Sequence, residues 1–269
     1  MSTLQTNSAL LASLPTDQRL VGKTVVVTGS TSGIGEAIAR VLAASGAAVV
    51  ISGRDAARAQ QVVDAVAQSG GQAFAVAADL AGSPDSVRTF ARKATAALGG
   101  QVDIVVNNAG VYPVTATEDL ADSDLEVMLN VNIRAPHVLV GAIAPGMVER
   151  GTGHIVNIGS WMGRIGTSSG AMYTASKAAI EQLTRNWAAE YGPRGVRVNT
   201  VAPGATLTPG NAAYSTALDA MTAGTVAGRP VRPIDIAYAV RFLVSDEAAF
   251  IHGSILDVDG GMDSTRLRF

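Results

Sequence analysis

A chain of 269 residues with 48% hydrophobic and 16% charged residues has material for a large core and is too apolar for a disordered protein. A formal net charge of −2, with no run of five basic residues, excludes the electrostatic footprint of a nucleic-acid-binding protein. The lack of cysteine excludes disulfides, thiolate catalysis and Cys-ligated zinc, and leads to the expectation of a cytoplasmic protein.

Met1 to Leu20 has no basic head and only one short apolar patch, Ala9–Leu14. It is expected to be a flexible extension rather than a signal peptide, which leaves residues 21–269 as one domain. No apolar run is read as reaching the ~18–20 residues of a membrane span. Short β-branched runs then alternate with Ala-rich stretches. Thr24–Thr28, Ala48–Ser52, Ala73–Ala77, Asp103–Asn107, His154–Ile158 and Val196–Val201 read as buried strands, and Ser254–Val258 as a seventh. Helices are expected over Gly33–Ser45, Asp55–Ser69, Pro84–Leu98, Ser123 to about Arg150, and Ala171–Tyr191, with another opened by Pro233. Ser123-x-x-Glu126 reads as a capping box, and Gly192-Pro193 as a helix stop. Repeated strand–helix units predict an α/β fold, a doubly wound parallel sheet of seven strands with helices on both faces.

The first strand runs into Thr28-Gly29-Ser30-Thr31-Ser32-Gly33-Ile34-Gly35. Glycines between a strand and a helix let backbone turn tightly and approach a pyrophosphate, which the helix N-terminus then attracts. The spacing is GxxxGxG rather than the usual GxGxxG, and a glycine turn without a ligand is the plain alternative. The second strand ends at Gly53-Arg54-Asp55, where NAD-preferring folds place an acid on the ribose. Arg54 suits a 2′-phosphate, so NADP is favoured over NAD. Asp55 could reach the ribose, but capping the next helix is simpler.

Tyr173 and Lys177 stand at i, i+4 on one helix face. A tyrosine hydroxyl titrates near 10 and needs a neighbouring cation to serve as a base, which Lys177 can supply. Ser160 ends the fifth strand at the ligand-binding edge of such sheets. Pro136 removes the helical partner of the Asn132 carbonyl, so a kink is expected there.

Together these residues resemble the short-chain dehydrogenase/reductase family, in its single-domain branch of about 250 residues, over roughly Gly22 to Gly261. Thr28–Gly35 matches its TGxxxGxG, and Asn107–Gly110 its Asn-Asn-Ala-Gly. Its tetrad falls on Asn132, Ser160, Tyr173 and Lys177, with Ser and Tyr thirteen residues apart. Asp79-Leu80 matches the adenine-contacting pair; Pro203-Gly204 and Thr208 match the nicotinamide-side motif.

The resemblance implies an NAD(P)-dependent oxidoreductase acting on ketones or secondary alcohols, like the 3-oxoacyl-carrier-protein reductases. Tyr173 is the implied acid and base, Ser160 polarises the substrate oxygen, and Lys177 holds the nicotinamide ribose and lowers the Tyr173 pKa. Asn132 presents a backbone-bound water that links Lys177 to solvent. Implied cofactor contacts are Gly29, Ser30, Ser32, Gly33, Ile34, Gly35, Arg54, Asp79, Leu80, Asn108, Ala109, Gly110, Tyr173, Lys177, Pro203, Gly204, Thr206 and Thr208. No metal is implied, and a homotetramer is, with Ala178, Gln182, Arg185 and Ala189 on an exposed helix face.

Tyr112, Trp161 and Met162 are expected to line the substrate pocket under a mobile lid, Ala205–Val226, whose only charge is Asp219. Arg164 is the candidate clamp for an anionic substrate. The other readings are an NAD-linked sugar, polyol or hydroxysteroid dehydrogenase, and a non-enzymatic cofactor-binding scaffold, against which the complete tetrad argues.

Overall fold

Seven strands lie parallel in one sheet, ordered third, second, first, fourth, fifth, sixth, seventh. They are β1 (Thr24–Val27), β2 (Ala48–Gly53), β3 (Gln72–Ala77), β4 (Ile104–Asn107), β5 (Gly153–Ile158), β6 (Val196–Pro203) and β7 (Ile255–Val258). The helices are α1 (Thr3–Ala12), α2 (Gly33–Ala44), α3 (Ala56–Gln68), α4 (Pro84–Ala97), α5 (Asp122–Leu129), α6 (Ala135–Arg150), α7 (Ala171–Tyr191), α8 (Ser215–Thr222) and α9 (Pro233–Val244). This computed structural model describes residues 3–265. Every expected strand is present, with ends displaced by at most two residues.

Alternation along each strand splits the core in two. Val25, Val27, Val49 and Ile51 pack with α2, α3 and α9 on one face. Val26, Val50 and Val105 pack with α4, α6 and α7 on the other. Burial on both faces is why these strands are runs of Val and Ile rather than alternating patterns.

Three local expectations are corrected. Part of the N-terminal segment expected to be a flexible extension is the helix α1, and it is docked. Helix α9 opens at Pro233, which leaves the Ile234 N–H without an intrahelical acceptor. The Asn7 carboxamide oxygen accepts that N–H at 3.0 Å. Leu11 is buried, and its carbonyl accepts from Arg40 at 2.9 Å. The second correction is that α5 starts at Asp122 behind Ala121, with no side-chain cap. Ser123 therefore lies inside the first turn, where Asp122 and Asp124 meet the positive helix end.

Third, the break near Asn132 is a π-turn, Asn130–Arg134, in which the Ala135 N–H reaches back five residues to the Asn130 carbonyl. The joined stretch Asp122–Arg150 is long and apolar enough, at mean hydropathy 1.3, to cross a bilayer, contrary to the reading of apolar runs. Its apolar face, with Leu139, Ile143 and Met147, is buried against the sheet instead.

A chain of buried polar groups ties β4, β5, α7 and β6 beneath the carboxyl edge. Asn107 Nδ2 donates to Asn157 Oδ1 (2.8 Å), and Asn157 Nδ2 donates to Thr184 Oγ1 (2.7 Å). Thr184 donates onward to the Ile180 carbonyl (2.9 Å) and also meets Thr200 Oγ1 (2.7 Å). Asn157 is fully buried, so truncation strands a donor on Asn107 and an acceptor on Thr184. Asn157→Ala is expected to lower stability by about 2–4 kcal/mol, measured by urea unfolding of the cofactor-free protein. A loss within about 0.5 kcal/mol would show that water replaces the carboxamide.

Candidate active site

The candidate residues gather along the carboxyl edge of the sheet, beside β1, where strand order reverses between β2 and β4. Gly29 and Gly33 adopt φ of +63° and +59°, so the turn leading into α2 needs glycine there. A Cβ on Gly35 would stand 2.3 Å from the Gly29 carbonyl oxygen and 2.5 Å from Asn108 Nδ2. The N-cap Ser32 makes no side-chain cap, so first-turn N–H groups of α2 remain available at its positive end. These are the features a pyrophosphate requires, and the residues fit a bound dinucleotide.

The turn after β4 is bound to this one. Thr28 Oγ1 accepts the Asn108 and Ala109 N–H groups, each at 3.0 Å, and donates to the Val106 carbonyl at 3.2 Å. Asn108 Nδ2 returns to the Thr28 and Gly29 carbonyls at 2.8 and 3.1 Å. The resulting cleft has a volume of about 420 Å³ and is lined by Gly29, Ser32, Gly33, Ile34, Gly35, Arg54, Asp79, Leu80, Asn108, Ala109, Gly110 and Thr208.

Ser30, expected among the cofactor contacts, turns inward. It is fully buried, donates to the Val27 carbonyl (2.8 Å) and accepts the Ser52 N–H (2.8 Å), so it joins the ends of β1 and β2. Thr31 lines the cleft in its place. Arg58, in the first turn of α3, also lines it, and its place just after Arg54 and the helix cap was the signal in the sequence. Asp55 caps α3 by accepting the Arg58 N–H at 3.0 Å, and its other oxygen stands 3.3 Å from Arg58 Nε. Asp79 Oδ1 accepts the Ala81 and Gly82 N–H groups at 3.2 Å, which shapes the loop after β3. Arg134, from the π-turn, donates to the Ala81 and Gly82 carbonyls.

The cleft continues into a second chamber of about 290 Å³, which holds Ser160, Tyr173, Lys177, Pro203, Gly204, Thr206 and Thr208 as well as Tyr112, Trp161 and Met162. Val114, Asn211, Leu218 and Met221 complete its walls; the last three lie in Ala205–Val226, the segment the sequence offered as pocket wall and lid.

Ser160 Oγ accepts the Met162 N–H at 3.2 Å, and its hydroxyl is the polar neighbour that opposes the effect of burial on the Tyr173 hydroxyl. Lys177 Nζ donates to the Ile158 carbonyl at 2.9 Å and lies 5.8 Å from the centre of the Tyr173 ring. Asn132 is spent on positioning: Oδ1 accepts the Val111 N–H and Nδ2 donates to the Val111 carbonyl, both at 2.9 Å, and Nδ2 also reaches Ser176 Oγ at 3.1 Å.

Two expectations fail here on electrostatic grounds. Burial pushes the Tyr173 hydroxyl above its ordinary value, against the smaller opposing effect of the Ser160 hydrogen bond. Lys177 is not among the groups that shift Tyr173 in this cofactor-free cleft, and burial drives Lys177 itself down to about 8. Arg164 is no anion clamp. Its guanidinium bonds both carboxylate oxygens of Asp257 and stands 3.6 Å from Glu181 and 3.5 Å from Asp263. Burial raises the Glu181 carboxyl, with the Arg164 charge opposing.

A family profile described as enoyl-(acyl carrier protein) reductase matches residues 29–263. Among solved structures, a short chain dehydrogenase/reductase family protein is 45% identical, with a TM-score of 0.84 over 92% of this chain and all of the other. A short chain dehydrogenase from Burkholderia cenocepacia J2315, solved in complex with NADP, is 38% identical, with a TM-score of 0.83 over 91% of this chain and all of the other. The 3-oxoacyl-acyl-carrier-protein reductase of Vibrio cholerae serotype O1 is 38% identical over 245 residues, 90% of this chain and 98% of its own.

The Lys177 shift has a stability consequence. Its folded value of about 8 lies below the unfolded 10.5, so between those limits the folded protein binds fewer protons than the unfolded chain. Stability therefore rises with pH through that window, and below it the full penalty of burying the ammonium applies. From pH 7.5 to 9.5 the cofactor-free protein is expected to gain about 2 kcal/mol relative to Lys177→Met, read by urea unfolding of both. Parallel stability curves for the two proteins would contradict the shift.

Proposed function

The chain belongs to the short-chain dehydrogenase/reductase family and is an oxidoreductase that uses a nicotinamide cofactor; on that premise we propose that it interconverts a ketone and a secondary alcohol, with NADP(H) favoured and Tyr173 as acid and base. The carrying observation is that Ser160, Tyr173 and Lys177 line one chamber beside the glycine turn, with Lys177 one helical turn after Tyr173. A bound nicotinamide supplies or accepts the hydride.

The chain's own residues handle the oxygen. The Met162 N–H fixes the Ser160 oxygen, and the hydroxyl proton is the donor proposed to turn to a substrate carbonyl oxygen. During reduction the Tyr173 hydroxyl gives that oxygen its proton; during oxidation the phenolate takes it back. Lys177 spends one N–H on the Ile158 carbonyl and keeps two for the ribose of the bound cofactor. Hydroxyls there stabilise the ammonium that burial alone disfavours, and a charged Lys177 then favours the Tyr173 phenolate. The backbone carbonyl of Asn132, in the π-turn, carries the proposed water link from Lys177 to solvent.

Arg54, just after β2, and Arg58, in the first turn of α3, support the NADP preference, since guanidinium groups lining the cleft suit a 2′-phosphate. The exposed α7 residues Ala178, Gln182, Arg185 and Ala189, together with fully exposed Phe250, support a homotetramer.

Tyr173→Phe removes the hydroxyl and keeps the ring. Turnover at saturating cofactor is expected to fall on the order of 10²–10⁴-fold while cofactor binding survives. A rate within a few-fold of wild type would remove Tyr173 from the chemistry. For the cofactor, Arg54→Ala is expected to raise the NADP dissociation constant roughly 10- to 150-fold and to leave that of NAD nearly unchanged. Equal changes for both, by fluorescence titration, would contradict the assignment.

A further inference from the structure

The second chamber says which substituents the reacting carbon carries. Ser160 and Tyr173 fix where the oxygen sits, and the walls beyond them are Trp161, Met162, Val114, Leu218 and Met221. Lys177 is the one charged side chain among the lining residues, and it is already committed to the Ile158 carbonyl and the cofactor side.

The side chains of Thr206, Thr208 and Asn211 are bonded within the wall itself. Asn211 Nδ2 donates to the Thr206 carbonyl at 2.9 Å, and its Oδ1 accepts the Thr208 N–H at 2.8 Å and the Thr208 hydroxyl at 3.1 Å. Thr206 donates to the Gly204 carbonyl at 2.9 Å. The Tyr112 hydroxyl stands against Gly210, at the boundary with the cofactor cleft. Arg164, which the sequence places nearest to an anion, points its guanidinium into Glu181, Asp257 and Asp263. A substrate carboxylate or phosphate in this chamber would meet apolar walls and gain no free cation among the described residues. A chain of hydroxyls would find Thr206, Thr208 and Asn211 already bonded.

We infer that the substrate is a neutral ketone or secondary alcohol whose larger substituent is hydrocarbon, and that anionic and polyhydroxylated substrates are selected against. The inference rests on the oxidoreductase reading above and narrows it.

The test is a series that differs only at the tail: 2-heptanone, 6-hydroxy-2-hexanone and 6-oxoheptanoate, each reduced at saturating NADPH. Relative to 2-heptanone, kcat/KM is expected to fall on the order of 10- to 100-fold for the hydroxyl tail and at least ~100-fold for the carboxylate. Met221 is exposed on α8, so Met221→Lys tests the same point without touching the core. It is expected to raise 6-oxoheptanoate relative to 2-heptanone by ~10-fold or more.

Equal or better use of 6-oxoheptanoate by the wild type, still dependent on Tyr173, would overturn the inference and leave the oxidoreductase reading intact. Binding gives the ranking even without turnover, through quenching of Trp161 fluorescence in the NADP-loaded protein. Tighter binding of 2-heptanone without reduction would support the chamber's selectivity and count against the proposed chemistry. Tighter binding of 6-oxoheptanoate would overturn the selectivity itself.

Discussion

One hydroxyl joins the two halves of the cleft. Thr28 Oγ1 collects the N–H groups of Asn108 and Ala109, and Asn108 sends its amide back to the Thr28 and Gly29 carbonyls. The glycine turn after β1 and the turn after β4 thereby become one wall. Everything nearer the chemistry is referenced to it: Gly35 has no room for a side chain because Gly29 and Asn108 are held so close. The second turn continues to Val111, where Asn132 clamps the backbone and reaches α7 through Ser176. A dinucleotide bound along this wall is delivered to Ser160 and Tyr173 by rigid elements rather than by a loop.

Charge is handled by separation. Lys177 is buried without a carboxylate partner, and its depressed pKa records the cost. Under the proposed function, ribose hydroxyls around the ammonium would withdraw that cost, linking cofactor binding to readiness for proton transfer through one side chain. On the far side of Ser160, Arg164 gathers Glu181, Asp257 and Asp263, which removes both its charge and theirs from the substrate chamber. The Trp161–Arg164 turn thus presents apolar side chains to the substrate and its only cation to β7 and the residues after it.

Most of the fold was legible because parallel strands buried on both faces are runs of Val and Ile, and because helices start and stop at Gly and Pro. The closeness of Ser160, Tyr173 and Lys177 was legible because Tyr173 and Lys177 share a helix face and Ser160 ends a strand. What escaped was decided by distant partners. Docking of α1 depends on Asn7 meeting Ile234, and the fate of Arg164 depends on Asp257, 93 positions away. Ser30 sits in the glycine turn like its neighbours, and only the closeness of Ser52 to β1 turns it inward. The Tyr173 expectation failed because charge proximity was weighed without desolvation, which governs both groups in the cofactor-free cleft.

The central claim is that Tyr173 and a nicotinamide act on one substrate carbon and oxygen in the second chamber. Reduction of 2-heptanone with NADPH deuterated at the transferable position of the nicotinamide ring, followed by mass spectrometry of the alcohol, tests it most directly. The account predicts 2-heptanol carrying one deuterium on the carbinol carbon, formed by wild type and suppressed in Tyr173→Phe. Unlabelled alcohol, or labelled alcohol formed equally by both proteins, would contradict it.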